Sequence, residues 1–260
     1  MPMAEAAAET GRLREEGFRE LVLTGIEIAS YGADLPGKPG LADVVEAVAR
    51  EAGEMRVRLG SLEPTVVTED FCRRLAATGK VCRHFHLSLQ SGCDRTLKNM
   101  NRKYDTAFFC RTTELLRDSF PGCALTGDLI AGFPGETEED HRETLDFIRR
   151  CGFSELHVFP YSRRPGTPAD RLPEQLTNAV KTRRAHEAKA VSLETGKRFR
   201  AESVGTVLPV LFESGAGEGS VGHSDTYLLV RVPEPGLRGK LRNVRILKTE
   251  ADELIGECEE

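Results

Sequence analysis

The sequence predicts an α/β fold in two parts. A partial parallel barrel of βα units, (βα)6 in type but lacking its first strand, comes first, and a small antiparallel β-barrel follows it. Three observations predict this. Short β-rich runs alternate with helical stripes at about 30–40 residue spacing, the signature of βαβ units. The chain opens on a helical segment, where a βα repeat should open on a strand. Beyond about Ala201 the alternation gives way to short strands separated by turns.

The opening helix is expected over Ala4–Glu16. Five strands follow, at Glu20–Thr24, Met55–Ser61, His84–Gln90, Ala124–Ala131 and Glu155–Tyr161. Between them lie amphipathic stripes such as Leu41, Val44, Val45 and Val48, or Leu145, Ile148 and Cys151. Thr68 and Thr137 stand where helix N-caps belong, the second with Asp140 three positions on. Gly79 and Gly152 stand where helices should end. Connections this long suit parallel strands, which need cover on both faces. A Pro/Gly-rich crossing over Arg164–Pro173 leads to a long polar helix at about Thr177–Ala201. The small barrel is expected from strands at Gly205–Glu213, Tyr227–Val232, Gly239–Leu247 and Leu254–Cys258, with turns over Ser214–Gly222 and Pro233–Gly236. The domains are thus residues 1–200 and 201–260.

Composition narrows the function classes. Hydrophobic residues make up 39% of 260, enough for a buried core. No apolar run approaches membrane-spanning length, and the Ala/Glu-rich start lacks the features of a secretory signal, so a cytoplasmic location is expected. The seven cysteines are widely spaced and form no C-x-x-C pair, so no metal site is expected from this chain. Net charge is −5, yet basic residues gather over Lys181–Arg200 and again over Arg231–Lys248, which modestly favours RNA.

Ligands of parallel βα folds sit at the C-terminal ends of the strands. Those ends are polar and glycine-rich here: Thr24-Gly25-Ile26-Glu27, Ser61-Leu62-Glu63-Pro64, Leu89-Gln90-Ser91-Gly92, Gly132-Phe133-Pro134-Gly135-Glu136-Thr137 and Pro160-Tyr161-Ser162. One such loop has an ordinary explanation as a turn. Five on one rim point to a shared ligand with a zwitterionic end and a nucleoside end. Carbonyls near Gly25 and the Glu27 carboxylate suit an amino group. Gln90 or Ser91 suits ribose hydroxyls, and Val158–Tyr161 suits adenine. The turn before Thr137 has two readings of equal weight, an anion cradle of backbone N–H groups or the start of a helix. His84 and His86 share one strand face and are expected to fill a core or rim position.

Four segments carry a family resemblance: Leu23–Gly32, His84–Tyr104, Asp128–Asp140 and Ser154–Ala169. Their ordered motifs LQSG, M-x-R-x-Y, GFPGET and YS-x-R-x-GTPA resemble the radical S-adenosylmethionine (SAM) methylthiotransferases, in particular the branch acting on tRNA N6-threonylcarbamoyladenosine. The C-terminal strands resemble a TRAM domain, a small RNA-binding barrel, so the likeness covers nearly the whole chain. It implies a radical SAM partial barrel, SAM as cofactor, two 4Fe–4S clusters in the full-length family, a tRNA anticodon stem-loop as partner and an external electron donor. It implies SAM contacts at Gly25, Ile26, Glu27, Ser61, Glu63, Gln90, Ser91, Asp128, Gly132, Val158, Phe159 and Tyr161, with Glu136 in the same region as Gly132. It places Lys98, Arg102 and Lys103 near the SAM carboxylate or tRNA phosphate, and Arg231, Arg242 and Arg245 on RNA. Tyr227 or Phe212 is a base-stacking candidate that otherwise belongs to the core.

The chain departs from the family pattern at one point. Cluster-binding C-x-x-x-C-x-x-C is absent, as is the first barrel strand that precedes it, so the sequence is expected to be a fragment or the product of a misplaced start. The resemblance then implies an enzyme whose isolated chain is inactive. The alternatives are a methylthiotransferase of isopentenyladenosine tRNA or of ribosomal protein, or a noncatalytic RNA-binding remnant; an unrelated phosphate-binding barrel would leave the C-terminal strands unexplained. No catalytic residue is assigned.

Overall fold

The computed structural model describes residues 1–215 and 219–259. Helix α1 (Met3–Glu15) packs on α2 (Leu41–Glu51) and leads into β1 (Glu20–Leu23). Then follow β2 (Arg56–Leu59), α3 (Glu69–Ala77), β3 (His84–Gln90), α4 (Asp94–Asn99), α5 (Thr106–Ser119), β4 (Ala124–Ala131), α6 (Glu138–Cys151), β5 (Glu155–Pro160) and α7 (Asn178–Glu202). The five strands stand within a residue or two of their expected places.

All five run parallel. Strands β1 and β2 form one pair and β3, β4 and β5 form a second sheet. Bridges from Val57 to Val81 and from Leu62 to Leu87 join the two across a seam. The arc keeps its apolar side chains on one face. Phe85, Leu87 and Leu89 of β3 are fully buried against the helices, with Val45 and Val48 of α2 and Phe147 and Ile148 of α6. His84 and His86 therefore point the other way, into the concave side. The caps form as the sequence implies. Thr68 accepts from the Phe71 N–H, and Thr137 closes a reciprocal box with Asp140. Gly152 ends α6 at φ 61°, a conformation that a side chain disfavours.

The C-terminal strands β6 (Val207–Ser214), β7 (Ser220–Ser224), β8 (Leu229–Val232), β9 (Leu241–Glu250) and β10 (Glu253–Cys258) close into a barrel. Its core holds Val210, Phe212, Val230, Val244 and Leu254 and shares no residue with the larger core. Three expectations need correction here. The barrel is not wholly antiparallel, because β10 runs parallel to β8. The expected turn over Ser214–Gly222 contains the start of β7; residues 216–218 of that turn lie outside the described residues. Ser-Val-Gly-His-Ser has turn composition, but Gly222 is needed for pairing: a Cβ there would lie 2.0 Å from the Leu211 carbonyl oxygen. Finally, β8 starts at Leu229 rather than Tyr227, since Tyr227 sits at φ 65° and cannot continue a strand. Phe212 is fully buried, so it belongs to the core and not to a stacking surface.

Candidate functional site

The concave side of the larger barrel forms a lumen in three levels, starting from the N-terminal ends of the strands. At the lowest level, Arg56 and Arg58 of β2 are buried and both donate to the Glu20 carboxylate of β1. Alternating arginines in a strand ordinarily read as a solvated face. Here their other N–H groups reach the small barrel. Arg56 donates to the carbonyls of Pro209 at 2.8 Å and His223 at 3.0 Å. Arg58 donates to those of Asp225 at 3.0 Å and Ser224 at 3.1 Å. Arg83 adds an ion pair to Asp225 at 2.7 Å. Burial opposes the charge of Glu20, but the hydrogen bonds and positive charge of Arg58 and Arg56 outweigh it and hold the carboxyl below its ordinary range. Tyr227 completes this floor. Its ring stacks on His84 at 5.0 Å and on His223 at 4.8 Å, with the Arg58 guanidinium 4.8 Å from its centroid. The residue is nonetheless 51% exposed, so these three contacts cover only part of the ring.

The middle level is a row hydrogen-bonded from His84 through Thr126 to His86 and ending on a charge contact with Asp128. The Thr126 hydroxyl of β4 lies 3.0 Å from His84 Nε2 and 3.0 Å from His86 Nδ1. His86 Nε2 lies 3.3 Å from Asp128 Oδ2, and the His157 ring stands 5.6 Å from that of His86. Asp128 is thus in the lumen.

The upper level is the rim. Gly25, Ile26 and Glu27 are exposed in the loop after β1, and the Ile26 side chain has no cover. Ser61 is exposed after β2, and Glu63 pairs with Arg102 at 3.5 Å. Gln90 takes φ 65° where the β3–β4 register slips. Phe159 is exposed and Tyr161 half-buried, while Val158 of the same strand packs toward the helices. Ile130, Phe159, Pro160, Tyr161 and Ser162 border a mostly apolar cleft of about 570 Å³, within the range of small-ligand pockets. The Tyr161 hydroxyl is buried without a partner among the described residues. An apolar cleft of this size suits a flat, largely apolar ligand group.

Besides Val158, three expected residues lie elsewhere. Ser91 is buried, with its hydroxyl turned to Thr144 and the Cys93 N–H. Gly132 turns from the lumen toward α7: a Cβ there would lie 2.7 Å from Lys181 Cγ, and its N–H donates to Glu136 at 3.1 Å. Glu136 itself is buried in an ion pair with Arg184 of α7 at 2.8 Å. The GFPGET turn is accordingly a fastening between α6 and α7. Its N–H groups do not await an anion, because Asp140 takes the Thr137 N–H at 2.6 Å and Arg95 neutralises Asp140.

Among the RNA candidates, Lys98 and Lys103 are exposed beside the rim, whereas Arg102 is occupied by Glu63. Arg231 pairs with Glu253 at 2.8 Å and Arg245 with Glu259 at 2.6 Å. Arg242 is exposed and has no acidic partner among the described residues.

The cysteines do not fit an iron–sulfur cluster, which needs thiolates close together. Burial pushes Cys72 up to about 11 and Cys82, Cys93 and Cys123 up to about 12. The one sulfur–sulfur approach among the described residues is Cys110 to Cys151 at 3.9 Å, between two helices away from the rim.

Sequence reasoning missed Glu20, Arg56, Arg58, Asp225 and Thr126, and left Tyr227 undecided. The strand alternation that placed His84 and His86 on one face applies equally to Arg56 and Arg58, and was the one available signal.

Residues 1–148 match the Radical SAM superfamily. The chain belongs to that superfamily. The superfamily fold agrees with a solved neighbour, the radical SAM enzyme coproporphyrinogen III oxidase (HemN) from Escherichia coli. The likeness has a TM-score of 0.56 at 16% identity, covering 95% of this chain and 59% of that one, and it speaks for the fold alone. Among curated relatives, the chain is 37% identical over 250 residues to the threonylcarbamoyladenosine tRNA methylthiotransferase MtaB of Bacillus subtilis (strain 168), covering 94% of this chain and 55% of that protein. It is 36% identical over 258 residues to the tRNA-2-methylthio-N(6)-dimethylallyladenosine synthase of Desulfitobacterium hafniense (strain Y51), covering 98% and 58%. The chain therefore spans between half and two-thirds of the length of these two relatives. No helix among the described residues is long and apolar enough to cross a membrane.

Proposed function

We propose that this radical SAM protein serves a tRNA methylthiotransferase that adds a 2-methylthio group to N6-threonylcarbamoyladenosine beside the anticodon. The observation that carries the reading is a likeness to methylthiotransferases running through both barrels, at 37% identity over 94% of the chain. The lumen supports it. Five parallel strand tips meet at one rim, with an apolar slot at Phe159 and Tyr161 and an open loop at Gly25–Glu27, and the Asp128 carboxylate lies in the level below. When bound there, SAM supplies the methyl group. Around it, this chain would hold adenine in the Ile130–Tyr161 cleft and the amino group beside Glu27. Glu63, Gln90 and Asp128 would meet the ribose and methionine parts. Ser61 stands close enough to the rim to touch either ligand or substrate.

The small barrel would hold the anticodon stem-loop through Arg242 and the neighbouring Arg231 and Arg245, with Lys98 at the rim. Such contacts are to phosphate and weaken with salt. We place the division between the domains near Ala201 and the protein in the cytoplasm, where tRNA and an electron donor are available. Because the cysteines of this chain fit no cluster, no step is derived through one, and this chain alone is expected to be inactive. Anaerobic treatment with iron and sulfide should leave it without the visible absorbance of a stoichiometric cluster.

A second reading has support of nearly equal strength: dimethylallyladenosine tRNA as substrate, from the 36% identical relative. Mass spectrometry of tRNA nucleosides from a strain lacking the gene separates the two. Loss of 2-methylthio-N6-threonylcarbamoyladenosine, with its unthiolated parent accumulating, is expected. Loss of the dimethylallyl derivative instead would establish the second reading, and unchanged tRNA would refute both.

A further inference from the structure

The Thr126 hydroxyl touches two imidazole nitrogens but has a single proton to give. That fixes the direction of the row. The Asp128 carboxylate lies 3.3 Å from His86 Nε2, a charge contact that favours a proton on that nitrogen over a lone pair. In the neutral ring, His86 Nδ1 is then a lone pair that takes the Thr126 O–H. The Thr126 oxygen in turn accepts the Nε2–H of His84. His84 Nδ1 is left as a bare lone pair, and it is indeed a buried atom without a partner. The opposite wiring would bury an unpaired N–H at His84, and orphaned donors are rarer than under-used acceptors. Burial, followed by the charge of Arg58, pushes His84 down to about 3, so the ring stays neutral and the row keeps one sense.

The far end of the row belongs to the small barrel. Tyr227 stacks on His84, and its turn is held by the carbonyl contacts of Arg56 and Arg58. Neither Asp128 oxygen has a hydrogen bond among the described residues, and the side chain is 36% exposed. We propose that Tyr227 of the small barrel positions the Asp128 carboxylate through His84, Thr126 and the charge contact of His86, presenting that carboxylate to a hydroxyl or amine donor of the lumen ligand. The small barrel then does more than hold RNA: it forms the floor of the reaction chamber. Only the identity of the ligand, an adenosyl compound, rests on the function proposed above.

The test begins with wild-type protein. A long-range nitrogen–proton spectrum of its six histidines is recorded at about pH 8, above the ordinary imidazole pKa. His84 and His86 should both appear as Nε2–H tautomers. An Nδ1–H tautomer at His86 would overturn the relay without any variant. Calorimetry with S-adenosylhomocysteine then measures the consequence. Thr126→Val should unlock the His86 tautomer and weaken binding about 10-fold, and Thr126→Ser should restore it to within about twofold, since only the hydroxyl matters. Tyr227→Ala should weaken binding in the same sense, and Tyr227→Phe, which keeps the stacked ring, should not. Binding unaltered in Thr126→Val, with the tautomer unlocked and the melting temperature kept, would overturn the positioning role. A wild-type chain that binds no S-adenosylhomocysteine would instead refute the adenosyl site, while the tautomers still judge the relay.

Discussion

His84 shows how one side chain acquires a role from neighbours far along the chain. It is 8% exposed, and its ring is covered by Tyr227. Its protonated form is disfavoured first by burial and then by Arg58, which lowers the pKa from 6.5 to about 3. A histidine whose pKa falls on folding contributes stability that is fully present above the unfolded value. That stability is lost as pH drops from 6.5 toward about 3. Urea unfolding at a series of pH values should therefore show wild type losing stability over that window faster than His84→Gln. Parallel curves would remove His84 from the account. The sequence revealed that His84 and His86 share a face. It did not reveal Thr126 between them, because that contact crosses to a strand 40 residues away.

At the scale of elements, β2 was legible as a strand and illegible as an anchor. Its Arg-Val-Arg-Leu pattern alternates as a half-exposed strand should. The solvated face it implies is instead sealed by carbonyls more than 150 residues on. Arg58→Met strips Glu20 of one of its two buried partners and the Asp225 carbonyl of its donor, while the Ser224 carbonyl keeps the Tyr227 N–H. Breaking a buried pair typically costs about 3–5 kcal/mol, so the urea midpoint should fall markedly. A change under about 1 kcal/mol would mean that water replaces the guanidinium. Strand β4 makes the complementary point. Gly127 looks like an ordinary weak spot in a strand, yet a Cβ there would lie 2.6 Å from the Leu87 carbonyl oxygen. The close approach of β3 and β4 immediately precedes the register shift that leaves Gln90 at positive φ. The GFPGET turn was read as a rim element because of its residues, and packing made it a fastening instead. Its carboxylate found Arg184 on a helix that the sequence places 48 residues later.

At the scale of the molecule, the two barrels are joined by polar contacts rather than by a shared core. The exposed cations on this frame differ in what they have left to offer. Arg231 and Arg245 each have a carboxylate partner, whereas Arg242 and Lys98 have none among the described residues. Arg242→Glu should therefore weaken binding of an anticodon stem-loop RNA more than Arg231→Glu. It should also lower the slope of log affinity against log salt by about one. Equal effects at both positions, measured by filter binding across a salt series, would show that the ion pairs do not hold against RNA.

The sequence by itself determined the parallel five-strand arc, the helices that cover it, their caps, the change of architecture near the end of α7 and the superfamily. These follow from local propensity, hydrophobic period and ordered motifs, all of which are written within short stretches of chain. Only the tertiary structure decided what faces what. It placed Ser91 and Gly132 away from the lumen, made Glu136 a structural ion pair, and seated Tyr227 beneath His84. The physical reason is that a buried charge or hydrogen bond is worth keeping only when its partner arrives, and the partner's arrival depends on how distant elements pack.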